Sequence, residues 1–186
     1  CGHAVIALTK AFVETGLIRK TEPITELSMD VPSGFIRSFA ELKNGEITSI
    51  GFRNVPSFVQ QMDSIIDVPG LGNIRYDLAF GGAYYAFVDV AQFDLDCTQE
   101  YHDKLIEMGM LIKQTIVKAI IMDHPTKPEM NFLYGIIFTG SPKDSNNHSR
   151  NVCIFAEGEV DRSPIGTGVS ARAAIHYARG EIGIGE

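Results

Sequence analysis

Two stretches of this sequence carry the same small-residue pattern beside groups able to do acid–base chemistry. Cys1-Gly2-His3-Ala4-Val5-Ile6-Ala7 aligns without a gap on Ile165-Gly166-Thr167-Gly168-Val169-Ser170-Ala171. Gly2 then falls on Gly166, Val5 on Val169, Ala7 on Ala171, Gly16 on Gly180 and Ile18 on Ile182. Two unrelated helices with glycine caps would give this spacing as readily as a duplicated unit of loop and helix. If the unit is duplicated, its physics is specific. A helix N-terminus presents unpaired backbone N–H groups and a positive partial charge, a ready site for a carboxylate or phosphate. Glycine there lets a ligand approach the backbone closely. A cysteine there has its thiolate stabilised and becomes a usable base or nucleophile near neutral pH. Two such units would clamp one small anion between two domains. A competing chemistry is also open: Cys1 could be a nucleophile with its own α-amino group as base, as in a self-processed amide hydrolase.

The elements that must position these residues follow from periodicity. Val5, Leu8, Phe12 and Val13 are spaced as the apolar face of a helix, and Gly16 is a fitting stop. From Ile24 to Val90 the pattern is one of short strands. Lys43-Asn44-Gly45 predicts one hairpin. Pro69-Gly70-Leu71-Gly72-Asn73 predicts a second, because the Gly-x-Gly lacks the third glycine and the helix of a dinucleotide site. Gly81-Gly82 breaks the chain before another strand, Tyr84 to Val90. A long helix is expected over 98–122, with Leu105, Met108, Leu111, Ile112, Ile116, Ala119 and Ile120 as its buried stripe and Thr98 as N-cap. Strands follow at Phe132 to Thr139 and Asn151 to Phe155, then a helix from Val169 to Arg179. The order predicts an α+β, mixed α/β fold without regular βαβ alternation.

Composition narrows the class. Apolar residues make up 45% of the 186, and 23 acids against 16 bases leave a formal charge of −7. Disorder is excluded by the apolar content, and a nucleic-acid partner by the acidic balance with no basic patch. No apolar run is long enough to cross a bilayer. The three cysteines, Cys1, Cys97 and Cys153, are odd in number and widely spaced. They predict free thiols in a reducing compartment, the cytoplasm, and no pair has zinc-ligand spacing. Cys97 and Cys153 read as inert buried thiols.

Cys1-Gly2-His3-Ala4 and Asp161-Arg162-Ser163-Pro164-Ile165-Gly166-Thr167-Gly168 resemble the two signature motifs of the proline racemase family. Asp67-Val68-Pro69-Gly70, Phe80-Gly81-Gly82-Ala83-Tyr84-Tyr85-Ala86 and Phe132-Leu133-Tyr134-Gly135 also match. The resemblance covers essentially the whole chain and is strongest to the trans-3-hydroxy-L-proline dehydratase branch. It implies a diaminopimelate-epimerase-like fold of two pseudo-symmetric domains, each with a central helix wrapped by strands. The expected division is 1–92 and 93–186. Relatives carry further strands before the first motif and after the second helix, so the resemblance implies a fragment. The first domain would lack N-terminal strands, the second C-terminal ones, and apolar side chains such as Phe12 would be left bare.

The resemblance also implies an activity at the α-carbon of a small proline-like amino acid, without cofactor or metal, in a homodimer. Cys1 would be the base. The backbone at Gly2-His3 and Gly166-Thr167 would hold the substrate carboxylate, Asp161 would pair with the ring ammonium, and Phe155 would wall the ring. On sequence alone Asp161 is equally a loop acid near a helix start, and Phe155 reads more readily as plain core than as a site residue. Ile165 is the departure. Racemases and epimerases have a second cysteine there, whereas isoleucine neither donates nor accepts a proton. One thiol suffices for a syn elimination, in which the same group takes the α-proton and assists the departing hydroxide. The pattern therefore favours dehydration over racemisation or epimerisation, and a non-catalytic binder of small carboxylates is a further alternative.

Overall fold

The computed structural model describes residues 2–185, so Cys1 lies outside the described residues. The chain divides into two compact units, Cys1–Pro56 and Ser57–Glu186. In the first, helix α1 (Gly2–Glu14) buries Val5, Thr9 and Val13, one residue per turn at fourfold spacing. Its cover is an antiparallel meander, β1 (Ile24–Val31), β2 (Gly34–Lys43) and β3 (Glu46–Arg53). Strand β2 alternates strictly, with Ile36, Ser38, Ala40 and Leu42 inward. The buried Thr9–Ser38 pair is satisfied: the two hydroxyls lie 2.7 Å apart, and Thr9 Oγ also lies 2.7 Å from the Val5 carbonyl. The β2–β3 turn is the expected Asn-Gly hairpin, both residues left-handed at φ 55° and 79°. Phe12 is half-buried beside the core of Val13, Leu27, Ala40 and Leu42 rather than bare. The large apolar residues exposed in this unit are instead Ile6, Leu8, Leu17, Ile24, Phe35 and Phe39.

The second unit is built on one six-stranded sheet in the order β4-β5-β6-β7-β8-β9. Its strands are β4 (Phe58–Val68), β5 (Gly72–Phe80), β6 (Tyr84–Asp89), β7 (Leu133–Gly140), β8 (Arg150–Phe155) and β9 (Glu159–Val160). Every pairing is antiparallel except β6–β7, which is parallel and is bridged by helix α2 (His102–Ala119). That pair moves the division of the chain. A boundary after residue 92 would separate two hydrogen-bonded strands of one sheet, whereas the compact units part after Pro56. The central strands are buried on both faces, Tyr84 to Val88 without a break. Helix α2 lies on the Ile154 face, where Gly109 lets it approach. Helix α3 (Gly166–Ala178) lies on the other, where Ala171 and Ile175 join Cys153, Ile137, Tyr85 and Phe87 in one cluster.

Helix α2 is shorter than its sequence pattern. A 3-10 turn over Gln99–Tyr101 precedes it, the Thr98 side chain makes no cap bond, and Ile120 is already extended. The far end is taken by the sheet's edge: Gln60 donates Nε2–H to the Ile121 carbonyl (2.8 Å) and accepts from the Asp123 amide (3.1 Å). The Gln60 amide pairs with two backbone groups along one edge of the extended segment, in place of another helical turn. Ala119 is accordingly exposed and Leu111 only half-buried.

Gly81, between β5 and β6, sits against the first turn of α3. A Cβ there would stand 2.3 Å from the Thr167 carbonyl oxygen and 2.4 Å from the Ala171 nitrogen, both backbone atoms that cannot swing aside. At Gly166 a Cβ would meet nothing within 4 Å. Gly81→Ala should therefore lower stability by ~1–3 kcal/mol or more, as overpacking does, while Gly166→Ala stays within about 1 kcal/mol. Urea unfolding of the two variants measures this, and equal midpoints would contradict the close approach.

Candidate functional site

The residues expected to do chemistry in the second unit gather at the N-terminus of α3. The approach to the helix is knotted by its own side chains. The Asp161 N–H donates to the Cys153 carbonyl (3.0 Å), tying the loop to β8. The Ser163 N–H donates to Asp161 Oδ1 (2.8 Å), and the Ile165 N–H donates to Ser163 Oγ (3.0 Å). These are two successive side-chain turns that end where the helix begins. Asp161, expected to face a ring ammonium, thus has one carboxylate oxygen engaged in holding the loop.

Ile165 is the residue they hold. It is the N-cap of α3 with φ 52° and ψ 51°, a left-handed conformation that a β-branched residue adopts only under constraint. Its side chain is 5% exposed and belongs to the cluster of Tyr85, Ile137 and Cys153. Burial of the isoleucyl side chain offsets the backbone strain. The helix starts there because its carbonyl accepts the Val169 N–H (2.8 Å), three residues earlier than the apolar pattern indicates. The following residues, Gly166 and Thr167, contribute first-turn amides that have no carbonyl partner within a helix. A Cβ at Gly166 would meet nothing within 4 Å, and the positive end of the α3 dipole lies at this turn, an arrangement that would favour an anionic group.

An aromatic wall continues from that turn. The Tyr85 hydroxyl lies 2.7 Å from Thr167 Oγ. The Tyr85 ring meets Tyr134 edge-on at 5.5 Å, and Tyr134 stacks on Phe155 at 5.4 Å with planes 6° apart. Phe155 is therefore half-buried wall, joined to Thr167 through two tyrosines that the sequence reading did not single out as site residues. Their motif segments were visible, but strands apolar on both faces hide which ring turns toward the helix. Tyr84, the neighbour of Tyr85, turns away to Phe58 and Phe80.

Burial sets the ionisation of this region. It raises the Tyr85 phenol well above the usual range, and it raises Tyr134, with the charges of Cys153 and Asp161 adding to it. Burial, with the Asp161 charge next, pushes Cys153 up to about 12, and burial with Asp96 pushes Cys97 up to about 11. Both thiols are free and buried, so neither is a base near neutral pH.

In the first unit, Gly2 opens α1 and His3 follows on its exposed side. The repeat seen in the sequence holds at the level of hydrogen bonds. Helices α1 and α3 are both 13 residues long. Each begins at its aligned glycine, Gly2 or Gly166, and stops at a left-handed glycine, Gly16 or Gly180. The Gly16 N–H donates to Val13 and the Gly180 N–H to Tyr177, the same offset. The buried stripes differ, however. Helix α1 buries Val5, Thr9 and Val13, whereas α3 buries Gly168, Ala171 and Ile175, which align with the exposed Ala4, Ala7 and Ala11.

Comparison with known proteins places this arrangement. The chain is 46% identical over 186 residues to a trans-3-hydroxy-L-proline dehydratase of Colwellia psychrerythraea, covering all of this chain and 52% of that protein. It is 40% identical to a 3-hydroxyproline 2-epimerase of Burkholderia multivorans, covering 56% of it. The crystal structure of a hydroxyproline epimerase from Agrobacterium vitis with bound trans-4-hydroxy-L-proline superposes with a TM-score of 0.89 at 36% identity. That match covers 98% of this chain and 53% of the epimerase, so the mixed α/β fold is shared throughout. The chain spans about half the length of the relatives it matches. The family profile described as proline racemase matches residues 1–186 from end to end, and with both glycine-led helices accounted for, the chain belongs to the proline racemase family.

Proposed function

We propose that this chain is part of a cofactor-independent enzyme that dehydrates trans-3-hydroxy-L-proline to pyrroline-2-carboxylate. The observation that carries the reading is Ile165, an apolar, buried side chain where inversion of a stereocentre would need a second acid. The similarity to dehydratases supports it. The Cys1 thiolate takes the α-proton. The C3–O bond then breaks, and the proton held on sulfur leaves with the hydroxide as water. The enamine formed moves one proton to become the cyclic imine. The amides of Gly2, His3, Gly166 and Thr167 hold the carboxylate, a role that the open first turn of α3 supports. Asp161 keeps one oxygen for the ring ammonium, and Phe155 walls the ring. The protein works as a homodimer in the cytoplasm, where the free Cys97 and Cys153 stay reduced. Epimerisation is the second reading, favoured by the likeness to the 3-hydroxyproline 2-epimerase.

Incubating the complete gene product with trans-3-hydroxy-L-proline, trans-4-hydroxy-L-proline and L-proline separates the two readings. Imine should form from the first, with no inversion of the others. General acid–base help is worth ~10²–10⁴-fold, so its loss on one face suppresses racemisation by that order. Cys1→Ser should abolish dehydration, and Ile165→Cys should raise α-proton exchange of L-proline in heavy water. Appreciable conversion of L-proline to its enantiomer by the unmodified protein would sink the one-base mechanism.

Thiol chemistry gives an independent check. At pH 8 thiols titrating near 11 and 12 are only ~0.1% and ~0.01% thiolate, so iodoacetamide should spare Cys97 and Cys153 and modify Cys1. Their reactivity should return only as pH rises toward those values or as the protein unfolds. Peptide mapping that finds Cys153 alkylated as fast as Cys1 in the native protein would contradict it.

A further inference from the structure

We propose that Tyr85 is a positioning residue that sets the direction of the Thr167 hydroxyl, donating its phenolic proton to Thr167 Oγ so that the threonine O–H is left to donate to the bound carboxylate. The inference deepens the function proposed above and rests on its assignment of Thr167 to the carboxylate.

The geometry permits only a short list of arrangements. The two hydroxyl oxygens are 2.7 Å apart, so one of them donates to the other. The Tyr85 side chain is 2% exposed, and water does not compete for it. Burial holds the phenol protonated through the whole working range of pH. A phenolic O–H is the stronger acid of the two and the better donor, so the proton between the oxygens belongs to tyrosine. The threonine then has one donor left. Its residue lies in the first turn of α3, where an anion is favoured. A hydroxyl that already accepts a hydrogen bond is polarised and donates more strongly.

Tyr85 is itself held from several directions. Its strand lies in the middle of the sheet between β5 and β7. Its ring is packed among Phe87, Tyr134 and the α3 cluster. The turn just before it is pressed on the helix at Gly81, where no side chain fits. The phenol has little freedom to turn elsewhere, and the threonine hydroxyl is oriented before any ligand arrives. Pre-orientation of this kind acts on binding in the ground and transition states alike, so its loss is read in KM rather than kcat.

The test is a double-mutant cycle in the complete gene product, with steady-state kinetics on trans-3-hydroxy-L-proline and calorimetric titration with L-proline. Tyr85→Phe keeps the ring and removes the donor. It should raise KM, and the Kd for L-proline, roughly tenfold, the effect of one hydrogen bond to a charged group, with kcat changed less than about threefold. In a Thr167→Val background the same substitution should have no further effect, because the tyrosine acts through the hydroxyl already removed. A merely structural tyrosine would lower the unfolding temperature and weaken binding equally in both backgrounds, and that result overturns the proposal. So does an unchanged KM, or a loss confined to kcat. If the unmodified protein turns over none of the three imino acids, the dehydratase reading fails and the titration alone decides. A tenfold weaker Kd that vanishes in the Thr167→Val background supports the role of Tyr85, and an unchanged Kd or no binding at all ends it.

Discussion

The absence of a side chain at residue 81 is the constraint on which the second unit's site is built. With backbone atoms of α3 standing where a Cβ would be, the β5–β6 turn can seat itself on the helix's first turn. That contact fixes the distance between sheet and helix at the helix's N-terminal end. The strand after the turn then delivers Tyr85 to Thr167, and the aromatic row runs on to Phe155. A larger residue would lift the helix and lengthen each of these contacts together. Packing at interior density leaves no slack to absorb such a shift.

Local signals were well recorded in the sequence, and long-range ones were not. The Asn44-Gly45 hairpin, the glycine stops at 16 and 180 and the gapless match between α1 and α3 depend on neighbours in the chain, and all are realised. The division of the chain was misplaced because the parallel β6–β7 pair joins segments on either side of α2, and no local pattern records a parallel pairing. The end of α2 was overestimated for a similar reason: the Gln60 amide that takes over residues 121 and 123 lies about sixty positions earlier, and an apolar stripe cannot show it. At the candidate site, Phe155, Asp161, Ile165, Gly166 and Thr167 were legible as a motif. Tyr85 and Tyr134 were legible only as strand residues, since facing is decided by the layer a helix covers.

The site also divides its duties between chemistry that needs protons and chemistry that needs shape. Buried phenols and thiols are held neutral by desolvation, which withdraws Cys97, Cys153, Tyr85 and Tyr134 from acid–base traffic near neutral pH. What Tyr85, Tyr134 and Cys153 supply is a packed wall with one fixed polar tip. Asp161 and Ser163 spend hydrogen-bonding capacity on the loop itself, so the helix N-terminus is preorganised by groups outside the helix.

The left-handed Ile165 makes the helix start a thermodynamic coupling point. A β-branched residue in that basin costs ~1–3 kcal/mol, and here the opposing weight is its side chain packed among Tyr85, Ile137 and Cys153. Backbone and side chain pull against each other across one residue. By linkage, a ligand that engaged the amides of Gly166 and Thr167, as proposed, would stabilise the strained backbone, and with it the packing of the cluster behind. The reverse holds with equal magnitude. A methyl group lost deep in that cluster would then weaken any binding at the helix mouth, by the same linkage and without touching the ligand.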